Sequence, residues 1–392
     1  MTDTNNLRVA IIGPGTRFLS GISYYTIRLC NALSETVSID AVLFRDMLPK
    51  RLFPGWKRVG INTVSSGFNQ QVRVSEVIDW YNPFSWARAA RVIRGCDVVI
   101  LQWWTSSIVH MYLAILLLRS KKSRFIIEFH EVVDPLEHGI LPLRLYAQVG
   151  GRILRKACSR FIVHSEHDRQ LIMEQYHLSK NNIGIIPVGL FDQYKILDKE
   201  TCKKRLNVEG KLVILFFGLI RPYKGVTNLI RAFEQLPEEI SNNCSLIIAG
   251  EAWEDHETIV AVQNSPARDA IQLHNRYIAD ADIPFFFSAA DILVLPYVRA
   301  SQSAVAQIGV SYGLPIIATR VGGLVEGLGE YEGARFIDNN DPELIKKAIE
   351  TEFTSNFHKR YCPPMHLSWE KIAERFTDEI ILHINKNLDK KL

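Results

Sequence analysis

The strongest constraint on this chain is a rhythm of short apolar runs alternating with amphipathic stretches, which runs through once and then restarts. Parallel strands are buried on both faces and need a crossover helix to bring the chain back, so this alternation points to parallel α/β sheets. Arg8–Ile12 reads as a first strand, Gly13, Pro14 and Gly15 break it, and a helix begins near Ser20–Gly21. Ile22, Tyr25, Leu29 and Leu33 then line one helical face. Ile39–Phe44, Asp97–Gln102, Phe125–Phe129, Arg160–His164 and Ile183–Pro187 continue the first strand set. The polar stretch Asp192–Lys211 carries no strand signal and reads as a linker with a short helix. Val213–Phe217, Ser245–Ala249, Ile271–Leu273, Ile292–Leu295, Ile316–Thr319 and Ala334–Ile337 form the second set. Trp369, Ile372, Ala373, Phe376, Ile380 and Ile384 mark a long amphipathic helix after it.

A length of 392 residues exceeds one ordinary core and suits two such doubly wound units with a crevice between them. The expected division is residues 1–190, a linker over 191–210, a second domain over 211–360, and a terminal helix over 361–392. With 47% hydrophobic and 22% charged residues, the composition is that of a soluble globular chain. A net charge of +4 spread along the sequence does not suit a nucleic-acid binder, and mildly favours anionic substrates or an anionic membrane. Cys30, Cys96, Cys158, Cys202, Cys244 and Cys362 are scattered without a CxxC pair, as expected of reduced cytoplasmic thiols. The first residues carry no signal-peptide pattern, and the longest apolar run, Met111–Leu118, is far short of a bilayer span. Any membrane contact is therefore expected to be peripheral, with a cytoplasmic location that extends to the inner face of the membrane.

In open parallel sheets, ligands bind beyond the carboxyl ends of the strands. Four loops there carry suggestive chemistry in the second half. The first reads Gly218-Leu-Ile-Arg221-Pro-Tyr-Lys224-Gly225, where Gly218 allows a tight strand exit and two cations sit three residues apart. Arg offers a planar fork for phosphate oxygens and Lys a mobile point charge, although such a pair also suits a solvated surface. Gly250-Glu251 follows the next strand and is equally explained by turn chemistry. Ser301-Gln302-Ser303 precedes an apolar helix near Ala304–Tyr312, with Ser303 or Ser301 as N-cap, so free N–H groups there suit a diphosphate or merely cap a core helix. In the fourth, Gly322 and Gly323 let backbone approach a ligand, and Glu326 could orient a sugar or ribose.

In the first half, Trp103 and Trp104 end a strand, where an indole could stack on a sugar or pack in the core. His130-Glu131 follows Phe125–Phe129, with Asp134, Glu137 and His138 further on, but HEVVD lacks the second His of a zinc-binding HExxH, so no metal is expected. Lys50–Arg58 mixes cations with Phe53 and Trp56 around Pro54-Gly55, a composition for an anionic membrane, an anionic acceptor or plain solvation.

These motifs resemble family 4 retaining glycosyltransferases of the GT-B type. FFGLIRPYKG is similar to that family's donor-diphosphate segment, YGLPIIATRVGGLVE to its Gly-x-Pro strand with Gly-Gly and an acid, and the Ser368-Trp369 segment to the helix that returns to the first domain. The resemblance implies two Rossmann-like domains facing a central cleft and a nucleotide-sugar co-substrate such as a UDP- or GDP-sugar. It implies transfer to the hydroxyl of a glycan or lipid-linked acceptor with retained configuration, with no metal and no other cofactor. It assigns Arg221 and Lys224 to the diphosphate and His130 to the transferred sugar, all three catalytic. Donor contacts would come from Gly218, Gly250, Glu251, Ser301, Gln302, Ser303, Gln307, Gly322, Gly323 and Glu326. The acceptor would meet Arg17, Ser20 and Gly21, with Trp103 and Trp104. The family's usual two glutamates fall here on Ala300 and Ile308, so Ser303, Gln307 and backbone amides would take their place. A nucleotide-sugar 2-epimerase-like enzyme and a non-catalytic sugar-nucleotide or glycan-binding protein share this architecture and remain as alternatives; the oligomeric state is open.

Overall fold

The computed structural model describes residues 7–18, 21–46, 67–120, 122–132, 141–355 and 359–385. Ser20, the Lys50–Arg58 segment, Asp134, Glu137 and His138 lie outside the described residues. The chain divides into two compact units: Met1–Gly189 with His366–Leu392, and Leu190–Met365.

Unit 1 runs β1 (Arg8–Pro14), α1 (Gly21–Leu33), β2 (Ser38–Asp46), β3 (Arg73–Asp79), α2 (Pro83–Val92), β4 (Val98–Trp103), α3 (Val109–Leu117), β5 (Arg124–Phe129), α4 (Leu141–Ala157), β6 (Arg160–Val163), α5 (Glu166–Tyr176) and β7 (Ile183–Ile185). Its seven strands are parallel in the order β3-β2-β1-β4-β5-β6-β7. The central strands β1, β4 and β5 are apolar and almost wholly buried, as a parallel sheet covered on both faces requires. β3 is the strand missing from the sequence reading. Its RVSEVID segment alternates charge with aliphatics because it is an exposed edge that, among the described residues, pairs only with β2.

Unit 2 runs α6 (Lys199–Arg205), β8 (Leu212–Phe217), α7 (Val226–Glu234), α8 (Glu238–Ser241), β9 (Cys244–Ala249), α9 (His256–Asn264), β10 (Ile271–His274), α10 (Ile283–Ala289), β11 (Ile292–Leu295), α11 (Ala304–Ser311), β12 (Ile316–Thr319), α12 (Gly322–Leu328), β13 (Ala334–Ile337) and α13 (Pro342–Ser355). Its six strands are again all parallel, ordered β10-β9-β8-β11-β12-β13. Both sheets thus reverse direction once, at β1/β4 and at β8/β11, which is the doubly wound, Rossmann-like arrangement.

Residues 191–210 form part of unit 2 and not a separate linker. Cys202, Leu206 and Val208 are buried, Leu197 N donates to Ser288 Oγ (2.9 Å), and Lys203 pairs with the buried Asp291 at 3.0 Å. The terminal helix α14 (Trp369–Asn385) belongs to unit 1. It packs on α1, and Arg160 at the start of β6 donates from Nε to Glu379 Oε2 at 2.6 Å. The Trp369 ring lies 5.5 Å from that of Tyr25, and no Cβ fits at Gly189, where it would stand 2.9 Å from the indole.

Candidate active site

The β8/β11 switch point of unit 2 collects the expected donor residues. Gly218 leaves β8 at φ +106°. Its carbonyl is packed so closely on Gly250 that a Cβ there would lie 1.9 Å from the oxygen. Ile220 N then donates to Glu251 O (3.0 Å) and Trp253 N to Ile220 O (2.8 Å), zipping the loops after β8 and β9 together. Arg221 is extended, as a residue before proline should be, and Pro222–Lys224 make one 3-10 turn. Gly225 ends it at φ +67°, where a Cβ would stand 2.1 Å from Pro296 O. Val298 N donates to Tyr223 O at 2.8 Å, tying the same loop to the one after β11.

Both cations are held by aromatic faces. Arg221 Cζ lies 5.0 Å from the Trp253 ring centre, and Trp253 Nε1 donates to Glu251 Oε2 (3.0 Å). Lys224 Nζ lies 4.0 Å from the ring centre of the buried Tyr297. Cation–π contact holds a charge without neutralising it. Among the described residues neither Arg221 nor Lys224 makes an ion pair, and the buried Nε of Arg221 has no hydrogen-bond partner. Their N–H groups remain available to an anion.

The start of α11 joins this set. Ser303 is its N-cap, with Oγ accepting from Ala306 N at 3.2 Å and lying 3.5 Å from Tyr297 OH. Val305 sits beside Gly218. Ser301 is half-buried, while Gln302 Nε2 and Gln307 Oε1 are buried without partners among the described residues. Gln307 Nε2 donates to Gly327 O (3.1 Å) and Gly323 N to Ala300 O (3.2 Å), so the turn before α12 is fastened to the α11 loop. Gly322 opens α12 at φ +48°, and Glu326 stands exposed on that helix. Gly218, Arg221, Lys224, Gly250, Ser303, Gln307 and Gly323 thus all lie beyond the carboxyl ends of β8, β9, β11 and β12. Trp253 and Tyr297, which support the cations, were not singled out in the sequence.

In unit 1 the β1/β4 switch point holds a buried polar chain. Gln102 occupies the space a Cβ at Gly13 would need. Thr26 Oγ1 donates to Gln102 Oε1 (2.6 Å), Gln102 Nε2 to Glu128 Oε2 (3.2 Å), and Tyr25 OH to Glu128 Oε1 (2.6 Å). Burial pushes the Glu128 carboxyl up, but His130, His164 and Tyr25 outweigh it and hold it below its ordinary value. Burial also raises the Tyr25 phenol, with Glu128 adding to it. Burial and then His130 push His164 down to about 4, so it is neutral near pH 7. Because Ile186 O can only accept, His164 Nδ1 donates to it (2.9 Å), and Nε2 accepts from His130 Nδ1 (3.2 Å).

His130, expected to touch the transferred sugar, turns both ring nitrogens inward. Nδ1 meets His164, and Nε2 is buried 3.6 Å from Glu128 Oε2. Glu128, His130 and His164 also supply the second imidazole that linear spacing lacked, with ligand atoms within 4.8 Å of one another, a set that could hold a divalent metal. Trp103 is a correction: it is wholly buried against Phe129 and Gly151 and offers no face to a sugar. Trp104 is half-buried, edge-on to Phe44 at 5.6 Å. Arg17 pairs with Glu76 at 3.2 Å on an open surface, and Gly21 is the exposed first residue of α1.

The family profile for glycosyl transferases group 1 matches residues 198–362. Unit 2 is a group 1 glycosyl transferase domain. The chain is 28% identical over 201 residues to mannosylfructose-phosphate synthase of Agrobacterium fabrum, covering 49% of this chain and 44% of that protein. The chain thus spans less than half the length of this curated relative. A D-inositol 3-phosphate glycosyltransferase of Nocardioides sp. is 21% identical over 93% of this chain and 86% of its own length. Both units together share the fold of Anabaena HepE, solved with UDP and glucose (TM-score 0.65, 15% identity, 98% and 99% covered). They also share that of sucrose-phosphate synthase from Thermosynechococcus elongatus (TM-score 0.64, 14% identity, 97% and 95% covered). At these identities the likeness to the solved structures concerns fold alone.

Proposed function

We propose that the chain is a retaining glycosyltransferase that moves a sugar from a nucleotide-diphosphate-sugar to a hydroxyl of a glycan or lipid-linked acceptor. The observation that carries this reading is the pair of cations, Arg221 and Lys224, held over Trp253 and Tyr297 beside the start of α11 without a carboxylate partner among the described residues. A departing diphosphate gathers negative charge in the transition state, and fixed cations with free helix N–H groups stabilise that charge without reorganising. The leaving phosphate oxygen would take the acceptor proton on the face it vacates, so no protein base is needed. Ser303 and Gln307, with Gln302 beside them, stand where the family's glutamates are missing and are assigned to the donor's ribose or sugar. The similarity to proteins solved with UDP and with UDP-glucose supports a nucleotide-sugar donor. No helix among the described residues is long and apolar enough to cross a membrane. A cytoplasmic location with peripheral contact at an anionic inner membrane face belongs to this reading.

Radiolabelled UDP-, GDP- and ADP-sugars, incubated with and without acceptor mixtures in the presence of EDTA, test it. Labelled transfer product that persists in EDTA is expected. Released sugar without acceptor would instead identify an epimerase-like or hydrolytic enzyme, and donor binding without any turnover a non-catalytic protein.

A further inference from the structure

Helix α4 of unit 1 is built inside out. The side chains it buries are mainly small, Ala147, Gly150 and Gly151 with Leu154, and Gly150 lets it seat directly on Val109 and Leu113 of α3. Its larger aliphatics point the other way. Leu141, Leu145, Val149 and Ile153, four residues apart, form one stripe and are 51–66% exposed. Leu117 and Leu118 at the end of α3, the helix it packs against, are 84% and 50% exposed. A helix that merely covers a sheet puts these residues inward.

The charge on α4 says what covers the stripe. The helix carries Arg144, Arg152, Arg155 and Lys156 and no acidic residue. Arg155 stacks on Tyr176, 3.7 Å from its ring centre, whereas Arg144, Arg152 and Lys156 make no ion pair among the described residues. Arg152 and Lys156 interleave with the aliphatics on the outward face, where their stems lie along apolar surface and their heads reach an anionic plane. A protein partner with an acidic groove would need matching pockets for four spaced aliphatics. A bilayer of anionic lipid supplies both an apolar layer and a negative headgroup layer without them.

We infer that the outward face of α4 is a docking surface for anionic lipid bilayers, with Leu141, Leu145, Val149 and Ile153 entering the headgroup boundary and Arg152 and Lys156 contacting lipid phosphates. This deepens the peripheral-membrane part of the proposed function by naming the surface, and it stands independently of turnover. The test is co-sedimentation of the full chain with vesicles of phosphatidylcholine alone or with 30% phosphatidylglycerol, without donor or acceptor. About tenfold stronger partitioning onto the anionic vesicles is expected, falling about tenfold in Leu145→Gln/Val149→Gln/Ile153→Gln and, separately, in Arg152→Glu/Lys156→Glu. Should the triple variant misfold by circular dichroism, the charge-reversal variant decides alone. Equal binding by parent and variants, or none by the parent, would overturn the inference. So would a dimer, seen by sedimentation velocity, that the triple variant abolishes while the parent ignores vesicles. Failure here leaves the transferase reading intact, and inactivity in the labelling assay leaves this surface intact.

Discussion

Lys224 holds its ammonium 4.0 Å from the ring centre of Tyr297, whose own hydroxyl lies 3.5 Å from the N-cap oxygen of α11. One aromatic side chain therefore connects a mobile cation to a helix start. Lys224→Ala should lower kcat by about 100-fold or more, the usual cost of removing one group that stabilises transition-state charge. It should leave the melting temperature within about 2 °C, because the half-buried side chain loses chiefly its cation–π contact with Tyr297. Steady-state kinetics with the donor identified by labelling check this, and a rate within threefold of the parent would remove Lys224 from the site.

Arg221 and Trp253 should behave as one unit. Arg221→Ala and Trp253→Leu should each lower kcat several-fold, since the indole fixes the guanidinium that meets the leaving diphosphate. The double variant should be little worse than either single one, giving a coupling of about 1 kcal/mol in a double-mutant cycle. Strict additivity would show that the ring does not position the cation.

Much of this was legible in the sequence, and the failures have a common cause. Strand and loop identity are local, so the loops at Gly218, Gly250, Ser303 and Gly322 could be read from the apolar runs before them. What a side chain faces is not local. Trp253 and Tyr297 reach the cations from other loops, and Glu128 meets Gln102 and His164 only because β4, β5 and β6 pair in parallel register. A single carboxylate in the apolar run RFIIEF was the available signal for that buried chain. Trp103 and Trp104 could not be separated, since neighbouring strand residues point to opposite faces and both faces of this sheet are covered.

His164 gives the fold a pH dependence. A histidine near 6.5 when unfolded and about 4 when folded takes up its proton more readily in the unfolded chain. Its contribution is full above about pH 6.5 and is lost as pH falls toward 4, by up to about 1.4 kcal/mol per pH unit. Urea denaturation between pH 7.5 and 5 should show this slope in the parent, and a shallower one in His164→Gln. Parallel curves would rule His164 out as the source.

Glu379→Ala should cost about 2 kcal/mol, because it strands the Arg160 guanidinium, nearly buried at the foot of β6, without its partner. The substitution should also make α14 an early target of limited proteolysis. Arg160→Met/Glu379→Leu, which removes both charges, should recover most of the loss. A double variant no more stable than Glu379→Ala would show that packing of α14, and not charge, is what suffers.

The docking of α14 on α1 has a consequence for how the polypeptide matures on the ribosome. Unit 2 lies within the chain between two segments of unit 1, so it can complete its own sheet as soon as its stretch has emerged. The sheet made before unit 2 must wait, with Tyr25 and the Gly189 turn bare, until the segment bearing Trp369 arrives. During that interval unit 1 is the vulnerable one, and the helix translated after unit 2 is what closes it.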